Sequence, residues 1–323
     1  MAQPNHDPTA AAGDVLGAYL RSQATAFLRG LRQYGPSAAS GADTAESGVA
    51  ARTLRGAARR ISGSLATFRV VTESSWADGL RTELVWLSST LADEHAYAAR
   101  LARLMDALHR LSGSPVLPAP RGADGALTVG SARAGALLDR RLTLARTRAH
   151  SATLQALGSS RFHAVADAVA VLASEVPLDA VAARGRVGEV LVPLAAAAET
   201  RLSAAVSTLP PVGGCEAAPS PYDADQDGPW HEVRRLLRVH RYAQEVLGED
   251  VTRPAAAGEA LDRHRDAAEA AAAATSAART PRIAPATAYA LGVLHADQRH
   301  EVEAARADFQ RLWLREPTAA ARR

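Results

Sequence analysis

The chain holds 323 residues with 37 basic and 34 acidic side chains, a formal charge of +3, and every basic residue is arginine. A lysine-free chain excludes Schiff-base catalysis and the P-loop Gly-Lys-Ser/Thr site, and one cysteine, Cys215, excludes intramolecular disulfides and cysteine-rich zinc centres. Hydrophobic residues reach 47% but aromatics only 4%, and alanine carries much of the apolar share, so helix formers dominate and a sheet fold is not expected.

Residues 1–11 carry neither a basic segment nor an apolar stretch, so they read as a disordered start rather than a secretory signal. No run of about 18 uncharged apolar residues reads as a membrane span. The lone cysteine and the missing signal predict a cytoplasmic protein. Three- and four-residue apolar spacing predicts helices over 12–32, 47–72, 75–110, 131–156, 159–175, 186–208, 229–248, 254–278 and 284–315. Asp43 or Ser47 is the candidate cap of the second, and Ser159 or Ser160 that of the fifth. Breaker-rich segments at 33–48, 112–125 and 208–229 separate them, the last being a Pro/Gly-rich linker. The acidic run of residues 223–227 falls in that linker. Nine helices and no strand predict an all-α bundle architecture.

The second predicted helix has two faces. Leu54, Ala58, Ile61, Leu65 and Phe68 follow a core spacing. Opposite them Arg52, Arg55 and Arg59 share one side, with Arg60 adjacent, and no acid occurs between Val49 and Thr72. Arg55 and Arg59 form a like-charge i,i+4 pair that costs about 0.2–0.5 kcal/mol unless an anion completes it. The pattern returns 179 positions later, where residues 231–241 align without a gap on 52–62. His231, Arg234, Arg238 and Arg241 share a face opposite Val233, Leu236, His240, Ala243 and Leu247. Two arginine helices in one register predict an internal duplication.

Other basic or polar groups are secondary candidates. Arg140, Arg141 and Arg148, with Arg146, form a third basic cluster, and His264 is spaced for a polar contact with Asp266. His231 has no histidine partner at metal-ligand spacing, so neither a metal nor a cofactor is expected.

The repeated motif resembles that of the CHAD domain, the conserved-histidine α-helical domain, whose hallmark helix reads His-x-x-Arg-x-x-x-[Arg/Lys]-Arg-x-Arg and occurs twice. The second copy matches at His231, Arg234, Arg238, Arg241 and Tyr242, with Val239 at a usually basic position. The first matches at Arg55, Arg59, Arg60 and Phe68, but Arg52 stands where histidine is expected and Ser62 where arginine is usual. Segments 76–101, 154–162, 261–270 and 290–313 are also similar, although His95 and Ala96 replace a typical Arg-Asp pair.

The resemblance covers about residues 12–316 and implies two antiparallel helical bundles related by a pseudo-twofold axis. Their halves are about 12–156 and 157–316, followed by a disordered tail at 317–323. It further implies non-enzymatic binding of inorganic polyphosphate, at polyphosphate granules, through Arg52, Arg55, Arg59, Arg60, His231, Arg234, Arg238 and Arg241. Arg140, Arg141, Arg148 and His264 are possible additions. The departures in the first motif imply an asymmetric site. Nucleic acid is the competing partner, although few aromatics are present to stack on bases. A degenerate scaffold for protein partners is a further alternative. The triphosphate-tunnel enzymes to which CHAD domains are joined need a lysine-bearing signature that this chain cannot contain.

Overall fold

The computed structural model describes residues 7–39, 45–113, 124–210 and 226–314. Among them lie nine α-helices and no strand: α1 (Ala12–Ala39), α2 (Ala45–Thr67), α3 (Ser74–Gly113), α4 (Asp124–Leu157), α5 (Ser160–Ser174), α6 (Val187–Ser207), α7 (Asp227–Val246), α8 (Thr252–Ala278) and α9 (Pro285–Leu314). Each answers one predicted helix, and the all-α expectation holds. Three boundaries moved: the second helix stops at Thr67, short of the expected 72, and a 3-10 turn follows at Arg69–Val71. The first helix continues through Gly35 and Pro36, which sit in its last turns. The fourth begins at Asp124 inside a stretch read as loop, and Gly130 there packs where a Cβ would lie 2.3 Å from the Ala286 carbonyl oxygen. Gly130 is thus a close-approach position between α4 and α9.

Local signals set several ends. Ser159 caps α5, its hydroxyl accepting from the Phe162 amide at 3.2 Å. Asp43 lies outside the described residues, as do Cys215 and residues 223–225. Helix α7 ends at Val246, and Gly248 just beyond it has a φ of 65° that suits a residue without Cβ, while the Glu249 amide donates to the Gln244 carbonyl at 3.0 Å. Asp250 then accepts from the Thr252 amide at the start of α8.

The chain divides into two compact units built from interleaved segments. The first comprises Met1–Asp93, Ala149–Ser207 and Arg235–Ala255; the second Glu94–Arg148, Thr208–Arg234 and Ala256–Arg323. Helices α3, α4, α7 and α8 each contribute residues to both.

The core of the first unit takes Leu16, Leu20 and Phe27 from α1, the predicted stripe Leu54, Ala58, Ile61 and Leu65 from α2 with Phe68 just beyond its end, and Leu84 and Leu87 from α3. Val165, Val169, Leu191, Ala243 and Val246 complete it. Single antiparallel bridges join Ala11 to Arg186 and Thr72 to Leu178. The second core takes Leu104 and Leu108 from α3, Leu138 from α4, Ala270, Ala274 and Ala277 from α8, and Leu291 and Leu294 from α9. Alanine on α8 keeps that helix close to its neighbours. Helix α6 is the one described helix long and apolar enough to cross a membrane by length and composition; its Leu191 and Leu202 are buried in the first unit.

Where α2 crosses α7 the contact is tight. A Cβ on Gly63 would lie 2.6 Å from Cδ2 of the buried Tyr242 ring. Substituting Gly63→Val should therefore destabilise the fold by about 1–3 kcal/mol through overpacking. Denaturant unfolding checks this, and an unchanged midpoint would contradict the crossing.

Candidate functional site

The arginine face of α2 emerges as read from its spacing, because the core stripe turns it outward. Arg52 is exposed, while Arg55, Arg59 and Arg60 are half-buried. The missing acid is supplied from another helix. Arg60 donates from Nε to Glu245 Oε2 at 2.7 Å and from Nη2 to Oε1 at 3.4 Å. Arg241, one turn before Glu245 on α7, brings its Nε within 3.4 Å of Oε1. Both guanidiniums lie over the Tyr242 ring, 5.6 and 5.2 Å from its centroid.

Tyr19 of α1 donates its hydroxyl to Glu245 Oε2 at 2.8 Å. Burial and the Glu245 charge push its phenol far above the usual range, so it remains a donor. Two guanidiniums thus share one carboxylate and leave a net positive charge. The buried Nε of Arg59 has no hydrogen-bond partner, and no carboxylate pairs with Arg52 or Arg59 among the described residues.

In the second unit, the start of α7 is organised by Asp227. Its carboxylate is nearly buried and accepts from Arg299 Nη1 at 2.7 Å, Arg299 Nη2 at 3.2 Å and Arg306 Nη2 at 2.6 Å. His264, fully buried on α8, accepts from Arg306 Nε at its Nε2, 3.3 Å away. The same Nε2 lies 3.5 Å from Asp227 Oδ1. Burial holds its pKa below the ordinary histidine value, and Arg306 adds to this. Trp230, also fully buried, stacks on His264 with centroids 5.7 Å apart and meets Phe309 edge-on at 6.0 Å. Asp227 has its own pKa held far below the carboxylate range: the hydrogen bonds and charges of His264 and Arg299 outweigh burial.

This network fixes the turn that carries His231 and Arg234. The His231 ring meets His264 edge-on at 5.4 Å. Its pKa lies below the ordinary value because of burial first, with Arg234 and Arg265 adding to the shift. Arg234 is itself 9% exposed and pairs through Nε with Asp262. Within α7, Leu237 rather than Leu236 is the buried leucine.

The secondary candidates separate. Arg140 and Arg148 are exposed. Arg141 donates to the Ser276 carbonyl and the Thr280 hydroxyl, both at 2.8 Å. It thereby satisfies the C-terminal end of α8, a structural task for a cation at the negative end of a helix. His264 does not pair with Asp266, which Arg265 holds at 2.9 Å from Nε. Its full burial turns it into the α7 network, so no dissolved anion reaches its ring.

Glu245, Tyr19, Asp227, Arg299 and Arg306 escaped the reading of the sequence. Arg299 and Arg306 lie at i and i+7, on the side of α9 that carries Val302 and Phe309, all buried. Two arginines at core spacing call for an internal carboxylate. Asp227, placed before Gly-Pro at a helix start, was the available one.

Replacing Asp227 by asparagine should destabilise the fold by about 3–5 kcal/mol, because the buried Arg299 loses the carboxylate that accepts from both its Nη atoms and Arg306 keeps Glu303 alone. A loss below about 1 kcal/mol would contradict the network. His231, His240 and His264 all have folded-state pKa values lowered by burial. Their stabilisation is complete above the unfolded value of about 6.5 and is lost as pH falls through it toward the folded-state values. Unfolding midpoints should accordingly drop between pH 7 and 5, and His264→Gln should flatten that slope.

Comparison with known proteins places this geometry. The CHAD domain profile matches residues 22–273, which include both arginine helices but stop short of α9. The solved structure of PptA from Streptomyces chartreusis is 56% identical, superposes with a TM-score of 0.79, and the match covers 95% of this chain and all of that one. The CHAD domain from the plant Ricinus communis superposes with a TM-score of 0.57 at 20% identity, over 94% of this chain and 93% of the other, and supports the fold alone. No curated protein matches. With most of its length matched by the profile, this chain belongs to the CHAD-domain family.

Proposed function

We propose that the chain binds inorganic polyphosphate, without transforming it, through the arginine faces of α2 and α7. The observation that carries this reading is the meeting of Arg60 from one motif helix and Arg241 from the other on a single carboxylate. Two cations against one anion leave a local excess of charge, and Arg52 and Arg59 extend it along α2. A polyphosphate chain offers repeated charges and acceptor oxygens but no base edges, which suits guanidinium forks. Binding to it is electrostatic and releases condensed counterions, as for a nucleic-acid backbone.

Nucleic acid is a weaker candidate. Trp230 is buried, Trp76 and Trp86 are partly buried, and Trp313 stacks on Phe309 within its own helix, so the described tryptophans offer no stacking platform.

Titrating long-chain polyphosphate and single- and double-stranded DNA across a salt series tests the reading. Polyphosphate should bind tightly and weaken steeply with salt, and Arg55→Gln, Arg59→Gln and Arg238→Gln should each lower the salt slope by about one unit, whereas Arg234→Gln, at a guanidinium buried against Asp262, should change it less. DNA binding of equal strength would instead favour a general polyanion binder.

A bound anion beside His231 favours its protonated form, so affinity should rise as pH falls from 7.5 to 6. His231→Gln should remove that dependence. A pH-independent affinity in the parent protein would separate His231 from the anion.

A further inference from the structure

The clamp on Arg60 and Arg241 has a feature that simple anion binding does not require. Polyanion sites gain from unopposed charge, yet here the place where guanidiniums of α2 and α7 converge is already filled by an anion of the protein's own. Glu245 is well anchored, with its side chain 16% exposed, against 33% for Arg60 and 22% for Arg241. Oε2 receives Arg60 Nε and the Tyr19 hydroxyl, while Oε1 faces Arg60 Nη2 and Arg241 Nε. Arg60 therefore turns its Nε edge onto the carboxylate, while Arg241 stands beside it as an ion pair at 3.4 Å without a hydrogen bond. A carboxylate in a guanidinium fork occupies the edge that a phosphate would take.

We propose that Glu245 is a built-in competitor that excludes short phosphates from the Arg60–Arg241 pair and reserves it for a polymer. This deepens the polyphosphate reading and rests on it. A pyrophosphate needs two converging guanidiniums and must displace Glu245 with two phosphoryl groups alone. A long chain also holds Arg52 and Arg59 on the same helix, so its further contacts outweigh the fixed cost of displacement. Discrimination of this kind works by obstructing the wrong ligand rather than improving the right one.

Tyr19 strengthens the obstruction. Its phenol stays protonated and holds Oε2 from α1, so the carboxylate does not swing away when an anion approaches. The groove beside it, about 480 Å³ and lined by Asp14, Val15, Ala18, Tyr19, Ser22, Glu245 and Val246, adds a second carboxylate and no cation on that side. An incoming short anion finds no alternative guanidinium there.

The test measures pyrophosphate and long-chain polyphosphate affinity for the parent protein, Glu245→Gln and Tyr19→Phe, with thermal unfolding of each. Glu245→Gln should bind pyrophosphate about five- to tenfold more tightly near 0.1 M salt, the effect of one uncovered charge, and should gain less for the long chain. Tyr19→Phe, which keeps every charge, should gain about twofold for pyrophosphate. Weaker or unchanged pyrophosphate binding in a folded Glu245→Gln protein, or an equal gain for both ligands, overturns the proposal. Where Glu245→Gln does not fold, an unchanged pyrophosphate affinity in Tyr19→Phe does the same. A parent protein that ignores long-chain polyphosphate defeats the binding reading itself, and the exclusion proposal falls with it. A parent protein that binds the polymer while the variants gain nothing defeats only the exclusion.

Discussion

A half-buried guanidinium needs a counter-charge, and this chain obtains one by tertiary contact rather than along the helix. Removing an arginine from water is costly unless a carboxylate faces it with good geometry. On α2 no acid is within helical reach, so Glu245 crosses from α7 to Arg60. At the start of α7, Asp227 does the same for Arg299 and Arg306. Glu245 ties α2 to α7 within the first compact unit, and Asp227 fixes the start of α7 within the second.

The two clusters differ in what they leave over. Asp227, with Glu303 on Arg306, matches two guanidiniums with two carboxylates and is enclosed by Trp230 and His264, so these charges serve the fold. Glu245 faces two guanidiniums near the surface and is outnumbered by them. Ion pairs of the first kind hold helices in register. Those of the second kind leave a cationic face, and the polyphosphate proposal rests on it. Membership of the CHAD family and the likeness to PptA from Streptomyces chartreusis agree with that assignment of fold and motif.

Most of the architecture was legible in the order of residues. Nine helices followed from three- and four-residue periodicity, and the core stripe from Leu54 to Phe68 appeared residue for residue. Local rules suffice there, because one face of each helix is buried. Helix α4 was read too short, since the breaker-rich stretch 112–125 signals a break locally, while Gly130 just past it serves a close approach to α9.

The arginine stripe on α2 was equally plain, but its counter-ion was not. Glu245 lies 185 positions from Arg60, and no spacing rule links them. His264 was misplaced for the same reason: its neighbour in sequence, Asp266, points to Arg265, while its neighbour in space is Arg306. Periodicity assigns a side chain to a face, and only packing assigns it a partner.

The most direct measurement follows the arginine Nε–Hε resonances by nuclear magnetic resonance as long-chain polyphosphate is added. The account predicts shifts for Arg52, Arg55, Arg59, Arg60, Arg238 and Arg241, with Arg141 and Arg299 unmoved. Shifts confined to Arg140, Arg148 and other residues off α2 and α7, or none at all, would contradict it.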